Sequence, residues 1–347
     1  MTNCTNSDQS KITITDIARD SGVSPATVSL VLRDKPGIGS ETRQRVLETA
    51  LSLGYISSIP APQPQPKVTS LGLLMKAGPN DPPLANHFYT PVLAGIEAYC
   101  RRHQIHLFYA HIPVDDNNHI LEAPRLLLDQ PADGLLLVGA WLNEGIRQAW
   151  QPQSKPLVLV DAYADVDQFD SVITDNTAGA YQATRYLIEQ GHRAIGIVGS
   201  LPQAYPSIQE RREGYVQAMA DYDLPPHFIN SHLSVNEAVP ATLAYLKQHS
   251  EVSAVFCCND EIAIDLMVAL NSEGRRVPED ISIVGFDNIA LCEYVIPALT
   301  TIRVDKMGMG RQAAQLLVNR IENPDTGYMK TIIRPSLIER QSVNRKA

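Results

Sequence analysis

Ser24, Thr27 and Ser29 place three hydroxyls around a proline in the stretch TITDIARDSGVSPATVSLVL, residues 13–32. Hydroxyls and backbone amides gathered at the first turn of a helix can grip phosphate oxygens, provided that something props that turn outward. Two other groupings invite chemistry and fail on spacing. His103, His106, His111 and His119 share no single helical face and have no carboxylate-rich cage, so solvated histidines and no metal are expected. GMGRQA, residues 308–313, fits the dinucleotide fingerprint G-x-G-x-x-A after the strand-like TTIRV. It lacks the adjacent βαβ unit with an acidic ribose partner about 20 residues on, and reads more simply as the opening of a helix. No Ser-His-Asp or lysine-nucleophile constellation can be assembled, so neither an enzyme nor a cofactor is expected.

The hydroxyls need a scaffold, and the flanking residues describe one. Thr13 with Asp16 three residues on is a capping-box pattern, and Ile14, Ile17 and Ala18 make one apolar stripe that Gly22 ends. Ser24 followed by Pro25 starts a second helix, whose buried side is Val28, Val31 and Leu32. A third begins after Ser40 and is expected to turn Val46, Leu47, Ala50 and Leu51 inward before Gly54. Three short helices of this kind share one small core and can present the start of the second helix to a major groove. After a polar tail (1–12) and this unit (13–56), prolines at 60, 62, 64 and 66 make 57–67 an extended, semi-rigid linker.

From Val68 onward, apolar runs (SLGLLM, IHLFYA, DGLLLVG, PLVLV, DSVIT, AIGIVGS, SAVFCC, ISIVGF) alternate with amphipathic helical patterns. That alternation predicts parallel sheets covered by helices, and this many strands suits two doubly wound lobes better than one sheet. The 347 residues are 44% hydrophobic and 19% charged, enough for sizeable cores, and the net charge of −9 argues against polyanion binding over the whole surface. Cys4, Cys100, Cys257, Cys258 and Cys292 are odd in number and show no metal-ligand spacing, so reduced thiols in a cytoplasm are expected. No apolar leader and no run near 18 apolar residues is present, which points the same way.

The opening stretch, with GIGSETRQRVLETALSLGY, resembles the DNA-binding headpiece of the lactose-repressor/galactose-repressor (LacI) family of bacterial transcription regulators, chiefly in D-I-A…G-V-S-x-A-T-V-S. NHFYTPVLAGIE, ADGLLLVG, DNTAGAYQATRYLIEQGHRAIGIVGS, RREGY, AVFCCNDEIAI, GRRVPEDISIVGFDN, PALTTI and RPSLIERQSV follow in family order, so the resemblance spans 13 to about 343. It implies an α/β chain: a three-helix helix-turn-helix headpiece, then a two-lobed body like the periplasmic sugar-binding proteins (68–343). The carried-over lobe bounds are 68–162 plus 291–322 and 163–290 plus 323–343. It also implies a homodimer, and no C-terminal heptad follows Val343 to suggest a tetramer.

The implied partners are palindromic operator DNA, met by Thr15, Ser24, Pro25, Ala26, Thr27, Ser29, Leu30 and Arg33, and a sugar or nucleoside effector. The effector would lie between the lobes against Phe88, Tyr89, Asp161, Arg211, Asn259 and Asp287. Asn259 and Asp287 follow apolar strands, whose carboxyl ends edge the ligand crevice of a doubly wound sheet. The implied function is transcription regulation by operator occupancy, with effector-dependent lobe closure altering DNA affinity. The alternative is a cytoplasmic small-molecule binding protein whose headpiece has weak or lost DNA binding.

Two departures from the family pattern matter. Where most members fold a hinge helix that wedges a leucine into the minor groove, this chain has YISSIPAPQPQPKVTSLG, and each interior proline costs a helix about 3 kcal/mol. The usual base-reading positions carry Pro25, Ala26 and Leu30, none of which can hydrogen-bond through its side chain, so thymine methyl contacts and DNA shape should dominate the readout. Residues 1–60 hold six basic and six acidic side chains, a neutral balance that predicts modest affinity and a shallow salt dependence.

Overall fold

The structure is a computed structural model that describes residues 12–33, 38–55, 68–78, 86–115, 118–122, 126, 132–144, 147 and 155–346. The expected linker (57–67) and the tail up to residue 11 lie outside these residues. The chain divides into two units, Met1–Lys67 and Val68–Ala347.

In the first unit α1 (Ile14–Ser21), α2 (Pro25–Leu32) and α3 (Ser40–Ser52) form; side-chain caps start the first two, whereas α3 starts at Gly39 with no side-chain cap hydrogen bond. Thr13 Oγ1 accepts from the Asp16 amide at 3.4 Å while Asp16 Oδ2 accepts from the Thr13 amide at 2.9 Å, completing the capping box. Gly22 stops α1 in the left-handed region at φ 70°. Ser24 Oγ accepts from the Thr27 amide at 3.1 Å and starts α2, with Pro25 in its first turn. Ile17, Ala18, Val28, Val31, Val46 and Ala50 are the shared core. Leu51, expected inside, is 39% exposed instead, and Leu53 packs on the core. Val46 and Ala50, four apart, set the inner face of α3, and Leu51 falls roughly 100° around from Ala50. Thr13→Ala removes one partner of the box and costs about 1 kcal/mol. The α1 amides should then exchange with solvent about fivefold faster, as hydrogen-exchange mass spectrometry would read.

The second unit opens with β1 (Ser70–Ala77), α4 (Tyr89–Arg102), β2 (His106–Pro113), β3 (Gly134–Val138), β4 (Trp141–Leu142), β5 (Leu157–Val160), β6 (Tyr163–Ala164) and β7 (Asp170–Thr174). Then come α5 (Asn176–Glu189), β8 (Ile195–Val198), α6 (Pro206–Asp221), β9 (His227–Ile229), α7 (Val235–Gln248), β10 (Ala254–Cys257), α8 (Asp260–Ser272), β11 (Ser282–Asp287) and β12 (Thr300–Arg303). α9 (Lys306–Glu322), β13 (Lys330–Ile333) and β14 (Ser336–Ile338) complete it. All eight apolar runs are strands: the inner ones are buried on both faces and so read as unbroken apolar segments, while β2 is a half-exposed edge strand.

Two six-stranded sheets result, ordered β13-β7-β5-β3-β1-β2 and β14-β12-β11-β10-β8-β9. Both are parallel apart from β14, which pairs antiparallel with β12. The chain therefore changes sheets after Thr174, between Arg303 and Lys306, and between Ile333 and Ser336. This corrects the expected lobe bounds: β7 and β13 belong to the first sheet and β12 to the second. The cause is strand pairing: β7 completes its ladder on β5, and β12 on β11.

α9 covers the first sheet and crosses α4 at backbone contact. A Cβ on Gly310 would stand 2.1 Å from the Val92 carbonyl oxygen, and one on Gly95 would stand 2.2 Å from that of Met307. Of the GMGRQA glycines, Gly310 thus serves helix packing, while Gly308 makes room for the Asp305 side chain, whose Oδ1 caps the Gly308 amide at 2.9 Å. Among the described residues no helix is long and apolar enough to cross a membrane.

Candidate functional site

On the first unit, Thr15, Ser24, Pro25, Ala26, Leu30 and Arg33 are exposed, and Thr27 and Ser29 are half-buried. Leu30 is 41% exposed while its neighbours Val28 and Val31 are sealed in the core. The hydroxyls of Ser24 and Thr27 are 2.9 Å apart, so the pair that starts α2 also fixes the polar edge of this face.

On the second unit, Phe88, Tyr89, Asp161, Arg211, Asn259 and Asp287 all line one cavity of about 350 Å³. One wall belongs to the first lobe. There Asn86 Oδ1 accepts from the Phe88 and Tyr89 amides, both at 2.9 Å, and seats the start of α4. The two rings meet edge to face at 5.0 Å. Asp161, directly after β5, has φ 47°, and Asp287, the last residue of β11, has φ 110°. Both conformations are costly away from glycine, and such strain gathers where side chains must be aimed.

The opposite wall belongs to the second lobe and is organised by Arg211 on α6. Its Nε donates to Asn176 Oδ1 at 3.0 Å, Nη2 pairs with Asp287 Oδ1 at 3.3 Å, and Nη1 donates to the Cys258 carbonyl. Its guanidinium lies 3.8 Å over the Phe286 ring. Asn176 is itself held by Glu210, whose Oε2 accepts from Asn176 Nδ2 at 3.0 Å and from the Tyr163 hydroxyl at 3.2 Å. Asn259 spends its side-chain oxygen capping α8, accepting from the Ile262 amide at 2.9 Å, which leaves its NH₂ as the group it can offer.

Besides the Tyr163–Glu210 bond, two further ties among the described residues cross between the lobes. Tyr205 donates its hydroxyl to the Asp161 carbonyl at 3.3 Å. Lys306, the buried first residue of α9, donates to the carbonyls of Asp287 and Asn288 beyond β11. Burial pushes the carboxyl groups of Asp161 and Asp287 up; the Tyr89 hydrogen bond and Arg211 pull the first back, and Arg211 and Lys306 the second. Burial also holds the Lys306 ammonium below its ordinary value. Asp161 is the telling residue: Tyr89 donates to its Oδ2 at 2.8 Å, whereas its buried Oδ1 has no hydrogen-bond partner. An acceptor stranded in a cavity wall is expensive unless a ligand completes it.

The sequence reading missed Lys76, Asn118, Tyr205 and Glu237, which also line the cavity. Lys76 had a usable signal, since it is the first charged residue after the buried run of β1, near the carboxyl end of its strand as Asp287 is at the end of β11. Nothing local marks Asn118 or the Asn176–Glu210 support behind Arg211. The four expected solvated histidines do not come together among the described residues: His103 stacks on Tyr99 at 4.2 Å, while His119 lies 3.1 Å from Asp115.

Residues 13–58 match the family described as bacterial regulatory proteins, lacI family, and residues 184–343 match the periplasmic binding protein-like domain. The chain is 34% identical to the ribose operon repressor of Haemophilus influenzae over 338 residues, 95% of this chain and 98% of that protein. It belongs to the LacI family. The HTH-type transcriptional repressor PurR of Vibrio atlanticus is 32% identical over 340 residues, 95% of this LacI-family chain and 98% of the relative. Among solved structures, a LacI family transcriptional regulator of Enterococcus faecium with bound ribose is 26% identical with a TM-score of 0.70, covering 80% of this chain and 100% of its own. The headpiece and two-lobed body of this LacI-family protein are therefore those of a DNA-binding repressor.

Proposed function

We propose that the chain is a cytoplasmic, homodimeric transcriptional repressor. Its operator affinity is set by a neutral, hydroxyl-rich effector, a free sugar or a nucleoside, bound in the cavity between the lobes. The observation that carries the effector class is the partnerless Asp161 Oδ1. It calls for a donor, which a hydroxyl supplies and a phosphate or carboxylate does not. The charge balance agrees, because Asp161, Glu237, Asp260, Glu261 and Asp287 line the cavity against Lys76 and Arg211. The ends of both cations have protein partners: Lys76 Nζ donates to Asn118 Oδ1 at 2.8 Å, and Arg211 is taken up as described. The volume lies at the low end of the roughly 300–1,000 Å³ of small-molecule sites, which suits a single sugar or nucleoside.

On this reading Asp161, Asp287 and the Asn259 NH₂ meet effector hydroxyls, Arg211 holds Asp287 in place, and Phe88 and Tyr89 cover the apolar side of the ring. Thr15, Ser24, Thr27, Ser29 and Arg33 take backbone contacts on DNA, while Pro25, Ala26 and Leu30 offer only apolar surface to base edges. Two headpieces on a palindrome compensate for one weak, neutral module. Thermal-shift titration of the full chain with free pentoses, hexoses and nucleosides, alongside their phosphates, tests the effector class. At 100 times Kd a true effector adds about 2.7 kcal/mol of stability. The hit should change retention of an operator fragment; stabilisation by the phosphates alone would sink the neutral-ligand assignment.

A further inference from the structure

We propose that His227, His249 and Glu251 form a binding site for a divalent zinc-class ion on the second lobe, separate from the effector cavity. One ligand atom from each of the three lies within 4.8 Å of the other two, and none of the three residues lines the cavity. They come from two places brought together by the fold. His227 begins β9, the edge strand of the second sheet, while His249 caps the C-terminus of α7 and Glu251 follows it by two residues.

The spacing is close to what a tetrahedral ion needs. Ligands held about 2.0–2.1 Å from zinc stand about 3.3 Å from one another. His249 Nδ1 and Glu251 Oε1 are 3.0 Å apart, so an ion can replace the shared proton with little movement. His227, whose ligand nitrogen lies within 4.8 Å of the other two, has to move in to complete the set. Tyr245 orients both imidazoles: His249 stacks on it at 4.0 Å and 22°, and its hydroxyl is 3.2 Å from His227 Nδ1. Outer groups that fix ring orientation are what metal-bound histidines require.

A simple His249–Glu251 pair would account for two of the three residues. It would not account for a second half-buried imidazole aligned on the same tyrosine. Two nitrogens and one carboxylate favour zinc, nickel or copper over magnesium or calcium, which prefer all-oxygen cages. Competition from thiols is limited, since the described cysteines are all buried. A bound ion would join the edge strand to the end of α7 and fasten the rim of the second lobe.

Calorimetric titration of the untagged full-length chain with zinc chloride at pH 7.5 should give one saturable equivalent that magnesium does not reproduce. His227→Ala and His249→Ala should each weaken it tenfold or more. Should either variant fail to fold, X-ray absorption of the zinc-loaded wild type should count two imidazole ligands. Binding unchanged in a folded His227→Ala variant, no saturable binding at all, or fewer than two imidazoles would overturn the site.

Discussion

Arg211→Ala is expected to lower the stability of the two-lobed body by about 3–5 kcal/mol and to abolish effector binding. The guanidinium is buried against Asp287, with side-chain exposures of 6% and 10%, and breaking such a pair from one side leaves an uncompensated buried charge. The loss extends beyond the pair, because Asn176 and the Cys258 carbonyl lose their donors and the Phe286 ring its cation. Arg211→Lys keeps a charge but cannot span three acceptors in one plane, so it should recover part of the stability and little of the binding. Denaturant unfolding of the full chain measures the first quantity and calorimetry with the identified effector the second. A loss below 1 kcal/mol would mean that Asp287 is neutralised by something other than this arginine.

Asp161→Asn should act in the opposite direction on stability while also losing the effector. The Asp161 carboxyl has its folded pKa raised by burial, so the folded state is penalised increasingly as pH rises above the group's ordinary range. An amide keeps the acceptor for Tyr89 and removes the penalty. The variant should therefore be more stable than wild type at neutral pH, with the difference shrinking toward zero as pH falls below about 4. Effector affinity should fall by about 1.5–3 kcal/mol, or 10- to 150-fold, the value of a hydrogen bond to a charged group. For the wild type, affinity should weaken on acidification through the raised Asp161 pKa, because the protonated acid no longer accepts two donors. Unfolding curves from pH 4 to 8 with paired effector titrations separate these effects, and a variant less stable at every pH would refute the account.

How far the sequence carried depended on the range of the interaction. Caps are local, so Thr13–Asp16, Gly22 and Ser24 were legible, as were the strands that burial turns into continuous apolar runs. Sheet membership is not local: DSVIT would read the same in either lobe, and only its pairing with β5 and β13 places it in the first. The cavity divides along the same line. Arg211 and Asp287 could be placed through the family pattern and strand ends, whereas the Asn176–Glu210 brace depends on side chains 34 residues apart meeting behind the wall.

Lys306 has a consequence for how such a receptor moves. Its ammonium grips two carbonyls beyond β11 from a helix start that lies where the chain crosses between the lobes, so it stiffens the pivot and not the mouth of the cleft. Effector response in this protein would then be a small change of bite about a braced pivot, and a methionine at that position should loosen the pivot and blunt the signal.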